Sequence, residues 1–258
     1  MKVLLGVALG VTLVFLGLPV VALFINADPG DLISSLGDSS SLDALRLSLE
    51  TSLIALALIV VIGTPAAWML ATREFRAKPL LVTLIELPLV LPPAAAGIAL
   101  LAALGPHGIA GNALDDAGIT LVLTTAGVVV AMAFVASPFY IRQAQASFES
   151  LDPRLLEAAQ TLGAKEARRF TRVAIPLSRN GLLAGAALAW GRALGEFGAT
   201  LMFAGSLRGV TQTAPLAIYE QFAVDFDSAI ALSVVLLAVS AAVLISVKLA
   251  TRNAPRSA

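Results

Sequence analysis

The chain holds one histidine, His107, and no cysteine. Thiol redox chemistry, a cysteine-rich zinc site and a bis-histidine haem are therefore excluded by residue type alone. His107 stands in a Gly-Pro-His-Gly loop and recruits no metal by itself. The groups left to do chemistry are charges in unusual places. Arg192, Glu196 and Thr200 follow at intervals of four inside an apolar stretch, a spacing that stacks them on one face of a helix. A charge at membrane depth costs about 2.5–3.5 kcal/mol on insertion scales, so such groups are paired or face protein or water. Two readings stand. Either Arg192 and Glu196 form an ion pair that orders a bundle, or Arg192 helps to pass or gate a dianion. Pro88, Pro92 and Pro93 cluster in another apolar stretch, where each removes an amide donor and disturbs the carbonyl four residues earlier. Such breaks persist in a membrane where protein or a wet cavity satisfies the backbone. They predict a kinked segment, lining a pathway or serving architecture alone. Glu86, near the end of the same stretch, reads as a snorkelling or bundle-facing acid.

The elements that must position these groups follow from composition. Of 258 residues, 58% are hydrophobic and 13% charged, and mean hydropathy is +0.91. Soluble domains average about 45–50% and about 25%. The chain reads as an all-α, polytopic membrane protein. A helix needs about 20 apolar residues to cross a core of about 30 Å. That ruler gives six spans, near 3–25, 45–71, 79–104, 119–139, 181–203 and 228–250. Lys2 followed by an apolar run also fits a cleaved signal peptide; the first is read as a retained span, since the run is longer than a usual signal core and the residues before Asp28 offer no clean A-x-A site. Lys and Arg gather at one set of span ends, including Arg73, Arg76, Lys78, Arg142, Lys165, Arg168, Arg169, Arg172 and Arg256. The opposite loops carry mostly Asp and Glu. The positive-inside rule then places both termini in the cytoplasm. Trp68 and Tyr140, near cytoplasmic ends, are expected as interface anchors. Gly181, Gly185, Ala189 and Ala193 form one small-residue ladder and Gly191, Gly195 and Ala199 another, a pattern that lets helices approach closely.

One cytoplasmic loop, residues 140–180, is far longer than the rest. Leu155, Leu156, Ala159 and Leu162 recur at helical spacing after the start signal Asp152-Pro153, and Gly163 interrupts them. A basic segment follows, with a second stop expected at Pro176. The spacing predicts two short amphipathic helices joined at a glycine. On composition alone, they could equally be a basic surface lying on anionic lipid headgroups.

The residues of this loop resemble the EAA loop of ABC-importer permeases. Glu157-Ala158-Ala159, three residues, Gly163, nine residues, and then Val173-Ala174-Ile175-Pro176 fit its spacing throughout. The resemblance implies that Glu157, Ala158, Ala159, Gly163, Ile175 and Pro176 couple the chain to a separate ATP-hydrolysing subunit. Consistent with that division of labour, no G-x-x-x-x-G-K-[ST] phosphate loop occurs. Residues 192–205, Arg-Ala-Leu-Gly-Glu-Phe-Gly-Ala-Thr-Leu-Met-Phe-Ala-Gly, are similar to the fifth span of molybdate permeases, as are residues 211–219 to their next outward loop. Leu87-Pro88-Leu89-Val90-Leu91-Pro92-Pro93 looks like the same family's proline-rich stretch. Sulfate and thiosulfate permeases share much of the first of these segments. Ser206-Leu207-Arg208 departs from the family's pattern, in a loop expected to face the binding protein.

What the resemblance implies is a single permease domain over residues 1–258, with residues 140–180 as its coupling loop. Two copies would pair with two ATPase subunits and one extracytoplasmic molybdate-binding protein, in the lipid of a prokaryotic cell membrane and with no nucleic acid. ATP and Mg would belong to the ATPase, and this chain would hold no cofactor and catalyse nothing. Molybdate or tungstate would cross by alternating access, past a pathway for which Arg192, Glu196, Thr200, Pro92 and Pro93 are the candidates. A membrane protease needs a catalytic constellation that the spans lack. A channel or proton-coupled carrier using Glu86, Arg192 and Glu196 would leave the 157–176 pattern unexplained.

Overall fold

A backbone in lipid must satisfy its own amides, and helix does so within one segment. The computed structural model describes residues 1–252, and every regular element among them is helical. In order these are α1 (Lys2–Asn26), α2 (Pro29–Gly37), α3 (Ser39–Thr72), α4 (Lys78–Val90), α5 (Pro93–Leu104), α6 (Gly111–Asp116) and α7 (Thr125–Glu149). They continue with α8 (Pro153–Thr161), α9 (Glu166–Arg169), a π turn (Phe170–Ala174), α10 (Ile175–Leu194), α11 (Gly198–Ala204), α12 (Ala214–Val224) and α13 (Phe226–Arg252). Arg256 and the tail beyond residue 252 lie outside the described residues. Starts are set by short polar side chains. Asp38 accepts from the Ser41 amide at the head of α3, and Thr124 accepts from Gly127 at the head of α7.

The centre of the bundle is α7. Val128, Met132, Ala136, Tyr140, Ala144 and Phe148 repeat every four residues along it and are all buried. This ridge packs on Ala55, Ile59 and Trp68 of α3 and on Ala189 and Ala193 of α10. Small residues make the approach close. A Cβ on Gly185 would stand 3.1 Å from Gln143 and 3.4 Å from Tyr140, and one on Gly181 would overlap Ser147. The ladder of Gly181, Gly185, Ala189 and Ala193 thus lies on α7. Tyr140 and Trp68 are not interface anchors: they are 1% and 8% exposed. The Tyr140 hydroxyl has a buried partner in Thr64 Oγ1 at 2.6 Å, so the ring needs no water at its polar end. Trp68 is held by an aromatic cluster described below.

Among the described residues, four helices are long and apolar enough to cross a membrane: Leu4–Asn26 within α1, α3, α7 and Phe226–Ser246 within α13. The apolar window of α1 is not buried at all, and its neighbour is α13. The stretches expected as third and fifth spans are each divided in two. In the third, a residue before proline is driven out of the helical region. Two prolines in tandem do this twice, leaving Leu91 and Pro92 extended at ψ 130° and 137° between α4 and α5. In the fifth, α10 ends at Leu194 and α11 begins at Gly198. The expected fourth span begins later than its apolar stretch, at Thr125, and runs as helix to Glu149, well into the segment expected as loop.

Candidate functional site

The segment after α7 builds a folded knob. Asp152 caps α8 by accepting from the Arg154 amide at 2.9 Å, with Pro153 in the first turn. At its other end Ala164 donates to the Ala159 carbonyl and Gly163 to that of Gln160, the paired bonds of a Schellman cap. That cap needs a left-handed residue, and Gly163 supplies it at φ +82°. None of the residues of α8 is buried; Glu157 and Ala158 are exposed and Ala159 half-buried. Pro176 does not stop the second helix. The chain runs on from α9 through the π turn into α10, because the widened turn lets Ile175 donate to Phe170, five residues back, just before the residue that lacks an amide hydrogen.

The knob rests on the ends of α3 and α7. Trp68 packs edge-on to Phe148, with ring centres 5.4 Å apart, and against Phe170 at 5.6 Å. Arg73 at the end of α3 donates twice to Glu166 of α9, at 2.8 and 2.9 Å. The Arg73 guanidinium holds the Glu166 carboxyl below its ordinary range. This tie is therefore fully formed at neutral pH and is lost as pH falls through that lowered value. Between α8 and the bundle lies an open cleft of about 530 Å³, lined by Trp68, Phe148 and Leu156 and by the charged Glu149, Glu157 and Arg169 among others.

The two breaks abut. A Cβ on Gly198, the first residue of α11, would lie 2.8 Å from Pro93, the first of α5. One on Gly97 would lie 2.7 Å from both the Ala199 carbonyl oxygen and Met202 Cβ. α5 and α11 thus run side by side with backbones nearly touching. Arg192, Glu196 and Thr200 do not lie on one continuous helix, because the chain leaves α10 between the first two. Glu196 is 1% exposed and does two things: its Oε1 accepts from the Ala199 amide at 2.7 Å, and its Oε2 lies 2.6 Å from Arg192 Nη1. Thr200 is fully buried with its hydroxyl unpartnered. Beside Arg192 the chain is open: a Cβ on Gly191 would meet nothing within 4 Å, so the second small-residue ladder is not a packing surface at that point.

Glu86, expected as a snorkelling or bundle-facing acid, faces the bundle in a second ion pair. Glu86 of α4 meets Arg142 of α7 at 2.8 Å. Its pairing is legible only once α4 and α7 are known to be neighbours. On the other side of the bundle, Ser48 accepts from the Ala214 amide at 2.6 Å and fixes the start of α12 to α3. Nearby, Arg208 pairs with Glu220 and holds that carboxyl below its usual range.

This architecture has solved counterparts. A chain of a bacterial ABC transporter that imports the acidic polysaccharide alginate superposes with a TM-score of 0.80 at 18% identity, covering 99% of this chain and 96% of that one. The likeness defines a class of fold, one found in a chain of an ABC importer. The sequence then gives the family. Residues 59–256 match the model for the binding-protein-dependent transport system inner membrane component, and the chain belongs to that family. It is 42% identical over 235 residues to the molybdenum transport system permease protein ModB of Mycobacterium tuberculosis, covering 91% of this chain and 89% of that one. It is 38% identical over 241 residues to the probable transport system permease protein NifC of Clostridium pasteurianum, covering 93% and 84%.

Proposed function

We propose that this chain is the membrane subunit of an ATP-driven importer whose cargo is molybdate, with tungstate as its nearest chemical equivalent. The observation that carries the coupling half of this reading is α8: a capped helix with no buried residue, held out from the bundle on an aromatic and ionic footing. Such a helix has its partner elsewhere. Glu157, Ala158 and Ala159 supply an acid and two small residues for close approach to a groove on an ATPase, which carries the ATP and Mg. Gly163 sets the turn into α9, and the chain then runs unbroken through the π turn and past Ile175 and Pro176 into α10, so a push on the knob reaches the fifth span. The cargo half rests on the 42% identity to a permease named for molybdenum transport.

In this reading residues 1–258 form one domain with six spans, the third and fifth broken, both termini cytoplasmic and residues 140–180 as coupling loop. Two copies pair across a two-fold axis in a prokaryotic cell membrane, with two ATPase chains below and an extracytoplasmic binding protein above. Pro92 and Pro93 mark the break of one pathway helix, and Arg192, Glu196 and Thr200 flank the other. The ion pair at Glu196 takes up the arginine's charge, which favours passage of a dianion over its capture.

Uptake of labelled molybdate into vesicles holding this chain, its ATPase and its binding protein tests the reading. ATP-dependent uptake that withstands a hundredfold excess of sulfate is the expected result. Displacement by sulfate would change the cargo, and loss of ATP dependence would remove the importer. In the same vesicles Gly163→Val should cut uptake at least tenfold with the bundle still folded. Space at Gly163 is open, so the cost is the left-handed backbone that a β-branched residue resists, about 1–2 kcal/mol. That strain falls on the cap of α8 alone. Unchanged uptake would count against the coupling role of the loop.

A further inference from the structure

We infer that α4 is a hinged arm and that Glu86, Arg142 and Gln145 are the positioning residues that tie its setting to the coupling helix. The inference rests on the coupling reading of α8 given above. The arm has a hinge at the extended pair Leu91 and Pro92. Beyond that hinge α5 is fixed, with Gly97 against the α11 backbone. Before it, α4 packs sparsely on its own chain: among its residues only Pro88 is buried, and Leu80, Leu84 and Val90 are exposed.

The polar tie of α4 to its neighbour is Glu86 to Arg142 at 2.8 Å, with both side chains about two-fifths exposed. A pair that is not sealed in the core can open without unpacking the bundle, which a latch requires. It does not end there. Arg142 Nη1 donates to Gln145 Oε1 at 2.8 Å, and Gln145 Nε2 donates to Glu149 Oε1 at 2.8 Å. Gln145 is 4% exposed, so neither of these bonds is traded freely for water. Residues 142, 145 and 149 descend one face of α7, and Glu149 lines the cleft behind α8 together with Glu157 and Trp68. A continuous line of charge and amide therefore joins the body of α4 to the space under the coupling helix. Coupling carried this way needs a contiguous network and an element with two settings. The relay is the first, and α4 on its hinge is the second.

The test uses the whole transporter in vesicles with its binding protein and reads ATP hydrolysed per molybdate imported. Glu86→Gln and Arg142→Gln should each raise that ratio at least tenfold, and the charge swap Glu86→Arg with Arg142→Glu should return it to within threefold of the parent. Gln145→Met fills the same volume and leaves the Glu86–Arg142 pair in place, so it should raise the ratio as well. A purely structural pair would instead lower the amount of assembled complex and leave the ratio of the surviving complex untouched. Parent-like ratios in all three single variants, or a swap no better than Arg142→Gln, would overturn the latch alone. A parent complex with no ATP-driven uptake would overturn the transport reading, and the latch with it.

Discussion

Glu196→Ala should destabilise the protein by about 3–5 kcal/mol, the range found when one member of a buried ion pair is removed. The size of the effect comes from two losses at one side chain. The Ala199 amide at the head of α11 loses its acceptor, and Arg192 loses its ionic partner. Glu196→Gln keeps an oxygen for the amide and removes the charge, so it should fall between the parent and the alanine variant. Arg192→Ala should cost a comparable amount, because it leaves the charge of an acid that is 1% exposed with only the Ala199 amide for a partner. Thermal unfolding of the purified complex in detergent measures all three. A Glu196→Ala complex that melts with the parent would show that neither contact holds the break together. Transport by Arg192→Ala separates the two readings of that residue: parent kinetics in a fully folded variant would confine it to the ion pair.

Gly97→Leu should be as damaging, for a different reason. The added Cβ would lie 2.7 Å from a carbonyl oxygen and from Met202 Cβ, and 3.0 Å from Ala199 Cα. Overpacking costs about 1–3 kcal/mol where side chains can shift. Here the obstacle is largely backbone, and relief requires moving α11, which Glu196 anchors. The expected result is a loss of folded, membrane-inserted protein to below about a tenth of the parent level, read by size-exclusion of the detergent extract. Gly191→Leu is the control, since a Cβ there meets nothing within 4 Å. It should extract at the parent level, and equal yields from both would contradict the close seam.

The sequence revealed where apolar mass lies far better than where helices end. Hydropathy found α1, α3, α7 and α13 because lipid demands long apolar stretches, but it placed the end of the fourth span ten residues short of Glu149, since a helix can leave the membrane without stopping. The third-span break was legible in Pro92-Pro93, whose effect is local. The fifth-span break was not, because Gly195-Glu196-Phe197 becomes a break only when α5 lies alongside to receive α11; an acid between glycines was the available signal. The positions of Trp68 and Tyr140 depend on Phe148, Phe170 and Thr64, distant in sequence, and no local pattern reports such partners. For the segment 140–180 the order reversed: capping at Asp152 and Gly163 is short-range chemistry, and it was readable residue by residue. The passage of the helix through Pro176 was missed because a π turn leaves no mark in the spacing.

The seam between α5 and α11 also bears on descent. Where two backbones touch, neither side can drift independently: any residue larger than glycine at 97 or 198 has to arrive together with a displacement of the opposing strand of chain. Open positions such as 191 carry no such bond and are free to wander. Lineages that split long ago should therefore differ widely along the lipid-facing helices while inheriting the two glycines as a pair, so that losing one without the other marks a branch whose seam has been rebuilt.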